Sequence, residues 1–199
     1  RVVARSHSVS AALLALSRVV ELRDPHTAGH EDRVGLIARE LAAELGWQEQ
    51  RCRYLQMAGL VHDVGKVAVP AELLAKPAAL TPLEYEVVKH HVRAGYEILK
   101  DFDFPLPLAE IVLQHHEHFG GGGYPRGIQG DDILPEARVI AVADALDAML
   151  SHQPFRSARG LDAALAELQA QRGQMFDPAV VDAAVRRTRA SESWLSPIR

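Results

Sequence analysis

Apolar side chains recur at steps of three and four residues along most of the chain, which is the period of amphipathic helices. Strand-type alternation is confined to the short stretch 67–69. The pattern therefore predicts an all-α fold whose apolar stripes face one core. The predicted helices occupy residues 1–22, 34–45, 49–62, 81–100, 107–116, 135–150 and 161–171, and a last helix starts at Asp177-Pro178.

The predicted helix that begins at Thr81 has the clearest start signal. Thr81 suits the N-cap, a proline follows in the first turn, and Glu84 can complete a capping box. We expect this helix to end near Lys100. Both His90 and His91 fall within its apolar stripe, so periodicity alone leaves open which of them faces the core. The stripe consists of Leu83, Val87, Ala94 and Ile98.

Composition and net charge exclude some classes of protein. Apolar residues make up 48% and charged residues 24% of the 199 positions, the balance of a globular protein. The net charge of -4 argues against a broad DNA-binding face. Cys52 is the sole cysteine, which favours a reducing compartment. No apolar run approaches the roughly 20 residues that a membrane span needs.

We expect a single domain over residues 1–199, because no linker or internal repeat interrupts the chain. The chain lacks an initiator Met and opens within the predicted helix 1–22. That helix is expected to lead from an upstream sensory or receiver domain, or to pair with a second copy in a homodimer.

Histidines and aspartates cluster in these apolar helical segments. Imidazole and carboxylate groups are ligands that divalent Fe, Mn and Zn prefer, and inward-facing side chains from different helices of a bundle can converge on a metal site. The clusters are His26 with His30, His62-Asp63 with Lys66, His90-His91, His115-His116, and Asp144 with Asp147.

Each of these residues also has an ordinary structural interpretation. A single core histidine is commonly a hydrogen-bonded residue and not a ligand. Asp144 and Asp147 could instead cap a helix or pair with Arg138 or Arg156. Considered together, the residues favour a metal centre, because the alternative buries several unrelated polar groups in one bundle, each with its own partner.

Three motifs carry a resemblance to a known family. They are His62-Asp63-Val64-Gly65-Lys66, then His115-His116-Glu117, then Gly122-Gly123-Tyr124-Pro125 with Gly127. Together with the flanking segments 24–30, 76–81, 137–144 and 176–178, they resemble the HD-GYP domain. This is the cyclic di-GMP phosphodiesterase branch of the HD metal-dependent phosphohydrolase superfamily. The resemblance covers roughly residues 10–185.

The resemblance implies a multi-helix HD-domain bundle around two divalent cations, iron or manganese. Asp63 and Lys66 match catalytic residues, and Lys66 and Arg156 match residues that contact the substrate phosphate. Tyr124 is a candidate for stacking on a guanine. The implied ligands are His30, His62, Asp63 and Asp144 for one cation and His91, His115 and His116 for the other, with Asp63 bridging the two.

The resemblance further implies that cyclic di-GMP is hydrolysed to pGpG, and onward to GMP, by a hydroxide that bridges both cations. It also implies a place in the bacterial cytoplasm. Two alternatives stay open: a weakly active module that binds a cyclic dinucleotide or docks partner proteins, and a phosphodiesterase for another cyclic dinucleotide.

The sequence departs from the family pattern at three positions. Gly120 stands where an aspartate is usual, which predicts a looser glycine loop and leaves open whether that loop is a mobile cover or a structural turn. Gln153 replaces an arginine and is expected to weaken phosphate binding. His26 replaces a carboxylate that supports a third metal, so we favour two cations, with a third at His26 as the alternative.

Overall fold

The computed structural model describes residues 2–23, 29–151 and 160–198, and it confirms the all-α fold. Within these ranges no β-strand forms, and no helix is long and apolar enough to cross a bilayer. The helices are α1 (Val2–Arg23), α2 (His30–Glu44), α3 (Glu49–Gly59), α4 (Ala71–Leu74), α5 (Pro82–Lys89), α6 (His91–Leu99), α7 (Leu108–Gln114), α8 (Pro135–Leu150), α9 (Leu161–Ala170) and α10 (Pro178–Ala190).

The centre of the bundle is formed by α2 and α8. The α2 helix packs against α3 and α8, and α10 lies against both α2 and α8. Val34 and Leu41 on α2 and Ile140 and Leu146 on α8 are completely buried in the same hydrophobic core. Burial of these two apolar stripes holds the helices together, and it fixes the positions of the polar residues that the same helices carry.

Two helix starts agree with the sequence signals. The Thr81 hydroxyl accepts the Glu84 amide hydrogen at 3.3 Å, and the Glu84 carboxylate accepts the Thr81 amide hydrogen at 2.7 Å. At α10, the Asp177 carboxylate accepts the Ala179 amide hydrogen at 2.8 Å. Both caps satisfy backbone donors that would otherwise lack partners.

The prediction of one continuous helix from Thr81 to Lys100 is wrong, since the chain turns at His90. The His90 amide donates to the Val87 carbonyl only three residues back, at 3.2 Å. The carbonyl of Val88 lies 2.8 Å from Nδ1 of His91 and accepts its hydrogen. A side chain thus takes an acceptor that an uninterrupted helix would have given to its own backbone.

The turn also changes the buried face, so the predicted apolar stripe is not in the core. Leu83 is 81% exposed and Val87 is 42% exposed. The buried face of α6 instead contains Val92 and Leu99, together with His91 at 2% exposure. His90 is exposed.

The short segment read as strand-like is a 3₁₀ helix over Val64–Ala68. Amides bond three residues back within it, from Lys66 to the Asp63 carbonyl and from Val69 to the Lys66 carbonyl. Within the stretch 67–69, Val69 is buried, Val67 is half-buried and Ala68 is exposed, so the apolar residues pack without forming a strand.

The turn after His62-Asp63 packs backbone to backbone against α6. A Cβ on Gly65 would lie 1.8 Å from the His91 carbonyl oxygen and 2.4 Å from the Gly95 nitrogen. Only glycine allows this approach, which sets the distance between Asp63 and His91.

We predict that Gly65→Ala lowers the free energy of unfolding by about 3 kcal/mol, because the added methyl group displaces α6. Gly160→Ala is the control, since a Cβ there meets nothing within 4 Å. Its cost should stay below about 1 kcal/mol even though Gly160 caps α9. Urea unfolding followed by circular dichroism measures both, and equal stabilities would contradict the packing described.

Candidate metal centre

Seven histidine and aspartate side chains from five parts of the fold converge on one cleft. They come from the start of α2, the turn after α3, the start of α6, the end of α7 and the middle of α8. Within each of two groups, the candidate ligand atoms all lie within 4.8 Å of one another. The first group is His30, His62 and Asp144, and the second is Asp63, His91, His115 and His116.

Asp63 lies between the two groups. Its Oδ1 atom is 3.2 Å from Nε2 of His91 and 3.9 Å from Nε2 of His115. Its Oδ2 atom is 3.5 Å from Nε2 of His62 and 2.5 Å from Nζ of Lys66. One carboxylate therefore faces both groups with different oxygen atoms, which is the geometry that a bridging ligand needs.

Three of the imidazoles are oriented by the same local contact. Nδ1 of His62 lies 2.8 Å from the Gly59 carbonyl oxygen, Nδ1 of His91 lies 2.8 Å from that of Val88, and Nδ1 of His115 lies 2.6 Å from that of Val112. Each carbonyl is three residues back, at or near a helix end, where carbonyls lack helical partners. With the hydrogen on Nδ1, each Nε2 is left as a free electron-pair donor facing the cleft.

Polar atoms without partners lie where these side chains meet. In the described part of the chain, Nε2 of His62, His91 and His115 and Oδ1 of Asp63 are buried and have no hydrogen-bond partner. Burying such atoms without a partner is costly, whereas cations bound by the two groups would satisfy them. Because the donors are imidazole nitrogens and carboxylate oxygens, the set fits a borderline divalent metal ion.

The first group carries protons when no cation is bound. Burial by itself would lower the pKa of His30, but the hydrogen bonds to Asp144 and Asp147 outweigh burial and raise that pKa to about 10. Burial also opposes protonation of His62, yet the charges of Glu31 and Asp63 raise its pKa to about 9. A cation bound by this group would therefore displace protons.

The second group differs from the first in its protonation state. Burial and the neighbouring His116 hold the pKa of His115 well below its ordinary value, and burial and His91 lower the pKa of His116 to about 3. Burial would raise the pKa of Asp63, but the charges of Lys66 and His62 keep it well below the ordinary range. Neutral imidazoles and an ionised carboxylate are the protonation states that bind metal.

Asp147 lies behind His30; the sequence placed it among the clustered candidates, but outside the ligand set that the resemblance implies. Its Oδ2 atom is 2.7 Å from Nδ1 of His30, and its Oδ1 atom accepts from Nε of Arg33 at 2.7 Å. The alternative pairing of Asp147 with Arg138 is wrong, because Arg138 pairs with Asp131 and Asp177. The spacing of three from Asp144 placed Asp147 on the correct face, but its partner Arg33 is 114 residues away.

The two groups open into a cavity of about 260 Å³. Besides the candidate ligands, its lining includes Arg33, Lys66, Tyr85 and Tyr124. The Tyr124 ring stacks on the His116 ring, with centroids 4.9 Å apart and planes 26° apart. Burial, and then Tyr85, raise the pKa of Tyr124, so its hydroxyl stays neutral.

The glycine loop before Tyr124 is a structured turn. The Gly120 amide donates to the Gln174 carbonyl at 2.7 Å, and the Tyr124 amide donates to the His116 carbonyl at 3.1 Å. A Cβ on Gly123 would lie 2.3 Å from the His118 nitrogen. Of the two alternatives for this loop, these contacts favour the structural turn, and they hold Tyr124 against His116.

Three predicted site residues, His26, Gln153 and Arg156, lie outside the described residues. Among the described residues that sequence reasoning missed, Glu31 and Arg33 are the clearest. In the sequence they look like ordinary charged residues in the first turn of a helix, where acidic side chains are favoured. Both residues face the centre only because α8 and the turn after α3 pack against the start of α2.

The sequence is similar to a known family and to several characterised proteins. The HD domain family model matches residues 15–180. The cyclic di-GMP phosphodiesterase response regulator RpfG of Xanthomonas campestris is 46% identical over 176 residues, which cover 87% of this chain and 47% of that protein. The 3'3'-cGAMP-specific phosphodiesterase 3 of Vibrio cholerae is 35% identical over 164 residues, which cover 82% of this chain and 36% of that protein.

A solved structure gives the same fold. The crystal structure of a cyclic GMP-AMP specific phosphodiesterase of V. cholerae superposes with a TM-score of 0.71 at 17% identity and covers 96% of this chain and 51% of that one. The chain thus spans about half the length of that structure and less than half of each relative named above. With a family match over most of its length, the chain belongs to the HD domain family, as its resemblance to the HD-GYP branch predicted.

Proposed function

We propose that this chain hydrolyses cyclic di-GMP to pGpG, and onward to GMP, with two divalent cations held side by side. The observation that carries the proposal is the position of Asp63, one buried carboxylate whose two oxygens face two separate groups of imidazoles. A single structural cation would need only one such group. Two adjacent positions are the arrangement used for in-line phosphoryl displacement.

The proposed ligands are those that the family resemblance implies, with Asp63 shared between the groups. When bound, the cations would supply a hydroxide at neutral pH and neutralise charge on the phosphate. Iron and manganese are the proposed metals, since both accept mixed imidazole and carboxylate ligands. A third cation at His26 stays a prediction.

Lys66 is proposed to act on the phosphate. Its ammonium group lies 2.5 Å from Asp63 and lines the same cavity, so it is placed to offset the negative charge that a phosphate brings to the cations. Hydrolysis breaks the bond between phosphorus and the 3'-oxygen. The oxygen of the attacking water stays on phosphorus, one of its hydrogens ends on the departing 3'-oxygen, and the other remains on the new phosphate or passes to solvent, which gives the linear dinucleotide.

Tyr124 is proposed to hold a guanine base. Its ring forms one wall of the cavity and is held in place by His116, so it offers a rigid flat surface next to the cations. Lys89 lies 5.3 Å from the centre of this ring and adds positive charge on the approach to the cavity.

A second candidate substrate is 3'3'-cGAMP, and the relative of V. cholerae that acts on it favours this alternative. The two cyclic dinucleotides differ in one base, so the chemistry at Asp63 would be the same. Assays of cyclic di-GMP, 3'3'-cGAMP and cyclic di-AMP side by side distinguish them, and binding without turnover of any of the three would instead support a binding module.

We also propose that a receiver or sensory domain regulates this domain in the bacterial cytoplasm, as the description of RpfG as a response regulator suggests. The extent of the domain over residues 1–199, a homodimer through helix 1–22 and the absence of DNA binding stay predictions.

Asp63→Asn should lower kcat for cyclic di-GMP by at least about 10³-fold, because losing the shared ligand removes several kcal/mol of charge stabilisation. Chromatographic separation of pGpG from substrate, with Mn²⁺-loaded protein, measures the rate. Asp101→Asn, on an exposed carboxylate, is the control and should retain full activity. An active Asp63→Asn protein would refute the proposed centre.

His91→Ala and His90→Ala form a matched pair of neighbouring substitutions. His91 is 2% exposed and faces Asp63, whereas His90 is exposed. Mass-spectrometric metal analysis should therefore find that His91→Ala loses about one cation equivalent and that His90→Ala keeps both, since removal of one ligand opens one coordination position. If His90→Ala loses a cation and His91→Ala keeps both, His90 and not His91 is the ligand.

Tyr124→Ala should raise KM for cyclic di-GMP about tenfold and Tyr124→Phe should leave it nearly unchanged, since stacking on a base contributes about 1–3 kcal/mol and needs only the ring. Steady-state kinetics on both variants measures the effect. If Phe is as harmful as Ala, the hydroxyl and not the ring contacts the substrate.

A further inference from the structure

Glu31 is a buried carboxylate that the proposed reaction does not use. Its side chain is only 1% exposed, and neither carboxylate oxygen has a hydrogen-bond partner in the described part of the chain. Its Oε2 atom nevertheless lies 2.9 Å from Nδ1 of His62. A carboxylate is seldom buried without a partner, so burial of Glu31 indicates an interaction with a neighbouring group.

The surroundings of Glu31 indicate what it contacts. Nδ1 of His62 is within reach of two acceptors, the Gly59 carbonyl at 2.8 Å and Glu31 at 2.9 Å. The opposite ring atom, Nε2, has no partner and faces Asp63 and Asp144. One Glu31 carboxylate oxygen also lies within 4.8 Å of candidate ligand atoms of His30 and Asp63, so Glu31 borders the first group.

The two groups of imidazoles differ in what lies behind them. In the first group, Nδ1 of His62 has Glu31 beside it and Nδ1 of His30 has Asp147 at 2.7 Å. In the second group, Nδ1 of His91 lies 2.8 Å from the Val88 carbonyl oxygen and Nδ1 of His115 lies 2.6 Å from that of Val112. A carboxylate behind an imidazole makes the ring a stronger donor to a metal ion than a neutral carbonyl does.

We propose that Glu31 is a positioning residue that acts through His62 and strengthens cation binding by the first group. The inference rests on the proposed two-cation function. The first group also has the carboxylate of Asp144, whereas the second group has only the shared Asp63. Loss of the Glu31 charge should therefore weaken cation binding by the first group and leave the second group unchanged.

Isothermal titration of chelator-treated protein with Mn²⁺ alone tests this inference. Wild-type protein should bind two Mn²⁺ equivalents. His91→Ala should retain one binding step, which assigns that step to the first group. Glu31→Gln, which removes the charge but keeps the shape, should weaken that step about 10–100-fold and leave the other within about twofold.

Glu136→Gln is the matched control, because Glu136 is also a buried carboxylate (5% exposed) but pairs with Arg51 and not with a candidate ligand. Both Mn²⁺ affinities should be unchanged in it. Visible absorption of Co²⁺-loaded protein provides a second measurement: the bands that remain in His91→Ala should shift in Glu31→Gln but not in the control. If Glu31→Gln does not fold, Glu31→Asp, which keeps the charge but retracts it from His62, should weaken the same step.

Unchanged affinities in Glu31→Gln would overturn the inference, and so would equal weakening of both steps, which would show a general structural role. Normal hydrolysis of cyclic di-GMP in either case would leave the proposed function standing. Wild-type protein that binds no Mn²⁺ would overturn both.

Discussion

The Asp63 carboxylate and the imidazoles on its two sides form the interaction on which the rest of the described structure depends. These groups are buried, and several of their atoms have no partner in the protein. Such an arrangement raises the free energy of the folded chain unless cations bind it. Helices that pack well elsewhere must therefore hold it in place, and the apolar contact of α2 with α8 provides that support.

Local contacts with the backbone orient several of the candidate ligands. Three imidazoles use a carbonyl three residues back, so the helix ends themselves determine which ring nitrogen faces the cleft. The close contact of Gly65 with α6 then brings Asp63 to His91. The same devices explain why α5 and α6 are separate helices: the turn at His90 is what points His91 inward.

Several features could be predicted from the sequence because they depend on near neighbours. The all-α class, the capping box at Thr81 and the start of α10 after Asp177 belong to this set. The candidate ligands were found through motifs whose spacing resembles a known family. The turn at His90 was missed because the competing hydrogen bond comes from a side chain, which periodicity does not take into account. The exposed positions of Leu83 and Val87 follow from that error.

By itself, then, the sequence determined the all-α class and the main helix starts, since these depend on composition and short spacing, and its family motifs supplied the candidate metal ligands. Only the tertiary structure decided that one oxygen of Asp63 faces His91 and the other His62, that Asp147 lies behind His30, and that Glu31 lies buried behind His62. Most of these contacts join residues far apart in the chain. Their geometry is set by how whole helices pack against one another, and no local pattern of residues records that packing.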